Sequence, residues 1–253
     1  MTGPGTEPGP VPETLRDAIY AVRTARLRLE RRRLDYGRET RERAARLANV
    51  LPASVDELRA YEREYDDLAW FHESYADRVA EIHEAGVAAD TTHWRDGVTL
   101  YVVCRALDVD TVVETGVLFG SFDAHVLAAM EQNGGGTLHA VDLPGGPPGP
   151  FEYGHLIPDR CRDRWRLHRG DAREVLPALL ERVGSLELFL HDSDHRLPHM
   201  RFEYETARSN LEPGGVLASH DVRLSRLFDR FTDANGLRSC VVCDTGIARR
   251  PRH

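Results

Sequence analysis

The chain has 253 residues, 41% of them hydrophobic, enough for one large α/β domain with a sizeable core and an appendage. A formal charge of -8 argues against nucleic acid as a partner, because phosphate contacts need a basic face. The opening MTGPGTEPGPVP has no charged n-region and no apolar h-region, and no run approaches the ~20 apolar residues that span a bilayer, so no membrane contact and a cytoplasmic location are expected.

Residues 1–12, rich in Gly, Pro and Thr, read as a disordered tail. Residues 13–90 read as an N-terminal helical extension. Its first part, from Glu13 to about Val50, is Arg-heavy, with Leu15, Ile19, Val22 and Leu29 on one face. All 33 basic positions of the chain are Arg, a bias that points to a GC-rich bacterial genome. A second helix opens on the capping box Ser54-Val-Asp-Glu57, whose hydroxyl and carboxylate satisfy otherwise orphan N–H groups. Its apolar stripe, Val55, Leu58, Tyr61, Tyr65, Leu68, Phe71, Tyr75, Val79 and Ile82, runs at steps of three or four, and its polar face is acidic. Opposite charges suggest that the two helices pack together. Three uses fit them: a homo-oligomer surface, a lid over a substrate, or a cover for a sheet face.

Residues 91–253 read as the main domain. A helix over His93–Leu107 leads into alternating strand-like and helix-like segments, the mark of a parallel sheet covered on both faces. The expected strands are Thr111–Glu114, Thr137–Asp142, Arg166–His168, Leu186–His191, Val216–Ser219 and Ser239–Asp244. A short antiparallel strand near Ile247–Arg249 follows a turn at Asp-Thr-Gly. The fold class is therefore α/β, Rossmann-like and doubly wound, with a mostly parallel seven-stranded sheet. Leu143–Arg164 is too rich in Pro and Gly for regular structure and lies where such folds place substrate contacts. Among the cysteines Cys104, Cys161, Cys240 and Cys243, the CVVC pair reads as strand, its thiols structural.

The chemistry gathers at VVETGVLFGSF, Val112–Phe122, which reads as strand, glycine turn and helix. Gly116 and Gly120 let the backbone approach a ligand, and the helix N-terminus offers free N–H groups. The spacing is GxxxG, without the GxGxxG of a pyrophosphate cradle. An acid, Glu114, closes the strand. Such a corner suits S-adenosylmethionine, which has an adenosine, a sulfonium and an amino acid end but no phosphate, better than NAD. Later strands also end in acids: Asp142 after the second, Gly170-Asp171-Ala172 after the third, HDSDH (His191–His195) after the fourth, and SHD (Ser219–Asp221) after the fifth. In an open α/β sheet these ends share one crevice. Asp142 can accept both ribose hydroxyls, and the Gly170–Ala172 segment can hold an adenine amino group. His191, His195 and His199 are four apart, but His191 closes a strand and Pro198 opens a helix, so no shared helical face is expected and His199 reads as a solvated first-turn residue.

As an ordered set, VVETGVLFGSF, LHAVDLP, HRGDAREVLP, LFLHDSDH and LEPGGVLASHDV resemble the motifs of class I S-adenosylmethionine-dependent methyltransferases. The likeness runs from about Trp94 to Ile247 and omits the N-terminal helices. It is similar in particular to the bacterial branch of macrocin-type and aminocoumarin O-methyltransferases of antibiotic pathways. The resemblance implies S-adenosylmethionine held by Glu114, Thr115, Gly116, Gly120, Ser121, Asp142, Gly170, Asp171, Ala172 and Asp192. It implies O-methylation of a small-molecule acceptor, a sugar or phenolic natural product, with Asp194 or His195 as the base. It also implies a divalent metal, magnesium, manganese, iron or zinc, on Asp194, His220 and Asp221. His220-Asp221 departs from the two acids frequent in that branch, and the imidazole shifts preference away from magnesium. N-methylation of an amine without metal, or a non-catalytic protein on this fold, are the alternatives.

Overall fold

One seven-stranded sheet carries the fold in the computed structural model, which describes residues 35–87 and 94–252. The expected tail, the helix expected from Glu13 up to residue 34, and His93 lie outside the described residues. The strands are β1 (Thr111–Thr115), β2 (Thr137–Asp142), β3 (Trp165–Arg169), β4 (Leu186–His191), β5 (Leu211–Ser219), β6 (Arg238–Val242) and β7 (Thr245–Arg249). Their order is β3-β2-β1-β4-β5-β7-β6. β7 pairs antiparallel with both neighbours, and the other pairings are parallel. The chain leaves β1 toward one edge and returns at β4 toward the other, so a crevice opens between their C-terminal ends.

Alternation along the strands divides the core between two faces. Val112, Leu138, Leu188, Leu190, Val216 and Ile247 face one cluster, and Val113, Val141, Phe189, Leu217 and Ala248 face the other. The second cluster is closed by α6 (Ala172–Val183), α7 (Leu197–Asn210) and α8 (Leu227–Ala234). The first is closed by α4 (Trp94–Leu107) and α5 (Ser121–Asn133), and over these lie α1 (Tyr36–Ala48), α2 (Val55–Asp66) and α3 (Ala69–Glu84). The N-terminal stripe is thus spent inside the molecule. Leu47, Leu58, Phe71 and Ile82 are fully buried.

The capping box forms as expected, with Glu57 N donating to Ser54 Oγ at 3.2 Å and Ser54 N to Glu57 Oε2 at 2.8 Å. The single helix expected through Ile82 instead breaks at Asp67-Leu68 into α2 and α3. The Tyr65 carbonyl accepts from Leu68 N at 3.0 Å and also meets the His72 ring at 2.8 Å, which ties the start of α3 to the end of α2. β5 begins five residues earlier than expected, because Leu211 already pairs with Leu186 ahead of an irregularity at Glu212-Pro213-Gly214-Gly215, after which Val216 pairs with Leu188. The last turn is also displaced. Val242 pairs with Thr245, so Cys243-Asp244 is the two-residue loop, and Cys243 adopts φ +53° there instead of continuing the strand.

Candidate functional site

β1 delivers Glu114 and Thr115, both buried, to the crevice. At Gly116 (φ +88°) a Cβ would stand 2.3 Å from the Asp192 carbonyl oxygen, and at Gly120 (φ +76°) one would stand 2.7 Å from Gly154 Cα. The first contact draws the ends of β1 and β4 together, and the second seats the 143–158 loop on the turn. Gly154 N and Leu156 N donate to the carbonyls of Leu118 and Phe119. Ser121 begins α5, and its hydroxyl lies 2.7 Å from Tyr75 Oη of α3. The N-terminal helices thus touch a corner whose candidate residues all come later in the chain.

Glu114 is opposed by an acid the sequence reading did not single out, Asp123 in the first turn of α5. Asp123 is fully buried, and Trp165 Nε1 donates to its Oδ1 at 2.6 Å. Burial, then repulsion from Asp123, Asp192 and Asp142, raises Glu114 well above the usual carboxyl range. Burial likewise lifts Asp123 to about 7, against the pull of the Trp165 donor. Glu114 Oε2 and Asp123 Oδ2 are buried without a donor. Asp142 stands at the end of β2 as expected. Its Oδ2 accepts from Val117 N and Leu118 N, each at 2.9 Å, and its Oδ1 from Leu143 N at 2.7 Å. A carboxylate has about four acceptor sites, so one remains for a ribose hydroxyl while the turn keeps its hold. Asp171 caps α6 by accepting from Arg173 N at 2.8 Å, Gly170 N donates to the Asp142 carbonyl, and Ala172 opens the helix.

At the ends of β4 and β5 the structure sorts the acids. Asp194 is turned aside: its carboxylate accepts from Arg196 N at 2.9 Å and Arg196 Nε at 2.6 Å. Burial works against its charge, but those two bonds outweigh it and hold Asp194 low. Asp192 instead faces inward, its Oδ1 2.9 Å from His220 Nδ1. His195 Nε2 lies 3.3 Å from Asp221 Oδ2 and 4.0 Å from Asp192 Oδ1. Burial disfavours a charged His220, yet Asp192, with Asp221 and Asp96 beyond it, raises the imidazole to about 9. One ligand atom each from Asp192, His195 and His220 lies within 4.8 Å of the others, a spacing that fits one cation. Of the expected metal set, His220 belongs to this group, Asp221 borders it, and Asp194 stands outside it.

Behind the loop lies Glu203 of α7, fully buried and also unforeseen. It accepts from Thr115 Oγ1 (2.7 Å) and Ser193 Oγ (2.8 Å), and it meets His191 Nδ1 (2.5 Å) and His199 Nε2 (2.8 Å). Burial pushes its carboxyl up, but the bonds from His191 and His199 prevail and set it at about 2. His199 is therefore not a solvated residue, and two histidines read as unrelated meet on one carboxylate. Their i,i+4 partner was the available signal, since His199 and Glu203 share a helical face.

Residues 113–222 match a family model described as a methyltransferase domain. With the sheet order and the glycine corner, that match marks a methyltransferase domain of Rossmann-like fold over this stretch. The chain is similar in fold to cofactor-bound Rv0187 from MTB, at TM-score 0.56 and 17% identity over 72% of this chain and 90% of that one. It is similar to the O-methyltransferase TomG from Streptomyces achromogenes, involved in tomaymycin synthesis and solved with S-adenosylmethionine, at TM-score 0.53 and 15% identity over 71% and 90%. A methyltransferase from Geobacter sulfurreducens aligns at TM-score 0.53 and 14% identity over 70% and 90%. No curated protein matches the chain. Among the described residues no helix is long and apolar enough to cross a membrane.

Proposed function

We propose that the protein methylates a hydroxyl of a small molecule, a sugar or phenol of natural-product type. The observation that carries this reading is the cluster of Asp192, His195, His220 and Asp221 beside the glycine corner. When bound, S-adenosylmethionine supplies an electrophilic methyl group. The protein's own residues must orient the acceptor oxygen in line and take its proton. His195 suits the second task, because the Asp221 carboxylate near its Nε2 steadies the imidazolium formed on proton uptake. Asp194, the other candidate base, is already engaged by Arg196.

A second reading, favoured by the convergence of Asp192, His195 and His220, places a divalent cation there. The cation would make the acceptor hydroxyl more acidic. Its imidazole donors favour manganese, iron or zinc, and His220 must give up its proton on binding. The test is transfer of labelled methyl from S-adenosylmethionine to a panel of phenols, sugars and amines, with and without chelator. Label on hydroxyl acceptors is expected. Label on amines alone would replace O-methylation by N-methylation, and cofactor binding without transfer to any acceptor would point to a non-catalytic protein. A rate indifferent to chelator but lost in His195→Ala supports the base, whereas a rate restored by a single added metal supports the cation.

A further inference from the structure

At the end of the sheet opposite the crevice, where β4 and β5 begin and β7 ends, a cleft of about 100 Å³ lies between Glu187, the irregular stretch from Glu212 to Gly215, Arg249 and Arg252. Pro52, Pro213 and Arg252 on its wall are exposed, so solutes reach it from solvent. Its volume is well below the roughly 300 Å³ at which metabolite and cofactor sites begin, and it suits a small ion. The lining is basic. Arg249 Nε donates to the Gly214 carbonyl at 2.9 Å, but its Nη2 is buried without an acceptor. A Cβ on Gly214 would stand 3.1 Å from that Nη2 and 3.2 Å from Arg252 Nε, so both guanidiniums border the space the glycine leaves open. Arg238 stands directly opposite Arg249 across the β6–β7 ladder, and like charges in that register repel. Burial, then Arg252 and Arg238, holds Arg249 below the ordinary arginine range, and no carboxylate offsets them. Of the two acids on the wall, Glu187 is committed to Thr111 N at 2.8 Å, and Glu212 repels it.

We propose that this cleft binds a phosphate dianion, free or as the head of a small monoester, between the guanidiniums of Arg249 and Arg252. A guanidinium offers paired N–H donors that match phosphate oxygens, and the orphan Nη2 of Arg249 supplies one of them. Three arginines against one uncommitted acid leave more positive charge than a single carboxylate neutralises, which favours a doubly charged anion. The site shares no residue with the crevice and stands whether or not S-adenosylmethionine binds there.

Inorganic phosphate titrated into the full chain, with chloride holding ionic strength constant, should raise the melting temperature saturably. It should also slow amide exchange at Gly214 and Arg250, whose N–H groups bridge β5 and β7. Acetate, singly charged, should protect less. Glycerol 3-phosphate run alongside separates the free ion from a phosphorylated metabolite: protection by either supports the site, and the stronger names the source. Arg252→Ala should weaken phosphate binding at least about tenfold by removing a charge-assisted partner. Glu212→Gln should tighten it by removing a like charge, and opposite signs in the two variants exclude a general loss of structure. Arg249→Gln should abolish binding; if that variant does not fold for want of the bond to Gly214, the other two decide the matter. Saturation by neither phosphate, equal protection by acetate, unchanged affinity in Arg252→Ala or Glu212→Gln, or displacement of phosphate by S-adenosylhomocysteine would each overturn the proposal.

Discussion

Gly116 occupies a point where two strand ends come nearly into contact, and its positive φ and missing Cβ are both required there. Gly116→Ala should destabilise the fold by about 1–3 kcal/mol from backbone conformation alone, with the clash against Asp192 added. Urea unfolding measures the loss, and S-adenosylhomocysteine affinity should fall with it. Glu203 is a residue of the opposite kind, a buried charge held by four donors. Removing it in Glu203→Ala should cost about 3–5 kcal/mol, because His191, His199, Thr115 and Ser193 lose their common acceptor. Its pKa is depressed, so its contribution is present above the ordinary value of 4.5 and is lost as pH falls toward about 2. Glu203→Gln should flatten stability across that window, and an unchanged acid limb would show that the charge is not what matters. The strand-end acids and glycines were legible in the sequence because each sits in a local pattern. Glu203, Asp123 and Asp96 were not, since an acid within a helix usually marks a solvated face, and only packing from distant segments buries these three. Which of Asp192 and Asp194 points inward is settled by the bonds to Arg196, and adjacent acids in a sequence carry no such direction.

At the scale of elements, α1 is joined to the segment that follows β5. Arg223 Nη2 donates to both carboxylate oxygens of Glu39, at 2.8 and 2.9 Å, and its Nε donates to the Cys243 carbonyl at 2.5 Å. Tyr36 Oη donates to Asp244 Oδ2 at 2.8 Å, and Asp96 of α4 accepts from Asp244 N and Thr245 Oγ1. These bonds hold the turn in which Asp221 takes φ +54°, a left-handed conformation uncommon outside glycine that Asp adopts more readily than most residues. Arg223→Ala should therefore lower stability by about 1.5–3 kcal/mol and speed amide exchange at 220–224. Exchange unaltered there would mean that β5 and β7 suffice to hold the turn. The parallel sheet and its helices were readable from hydrophobic period and turn residues. The break at Asp67-Leu68 was not, having neither Gly nor Pro to mark it, and the start of β5 was hidden by Pro213 and two glycines that ordinarily signal a turn.

For the molecule as a whole, α1–α3 complete the face that α4 and α5 only begin. Tyr65, Phe71 and Tyr75 ring the buried His125 of α5, whose imidazole burial holds near 4 and hence neutral. A chain beginning at Trp94 would expose this surface and should aggregate, which size-exclusion chromatography checks. A soluble fragment that still binds S-adenosylhomocysteine would show that the helices merely decorate the domain. The tie between Tyr75 and Ser121 reaches further than packing. Arg78, one turn along α3, donates to the His155 carbonyl at 3.0 Å and to Asp159 at 2.8 Å, so a single helix grips both the glycine turn and the loop seated upon it. A ligand that displaced that corner would press on residues 69–84, and any coupling between the two would be reciprocal. A molecule that grasps α3 from outside and shifts it would change cofactor affinity by the same factor by which the cofactor changes its own.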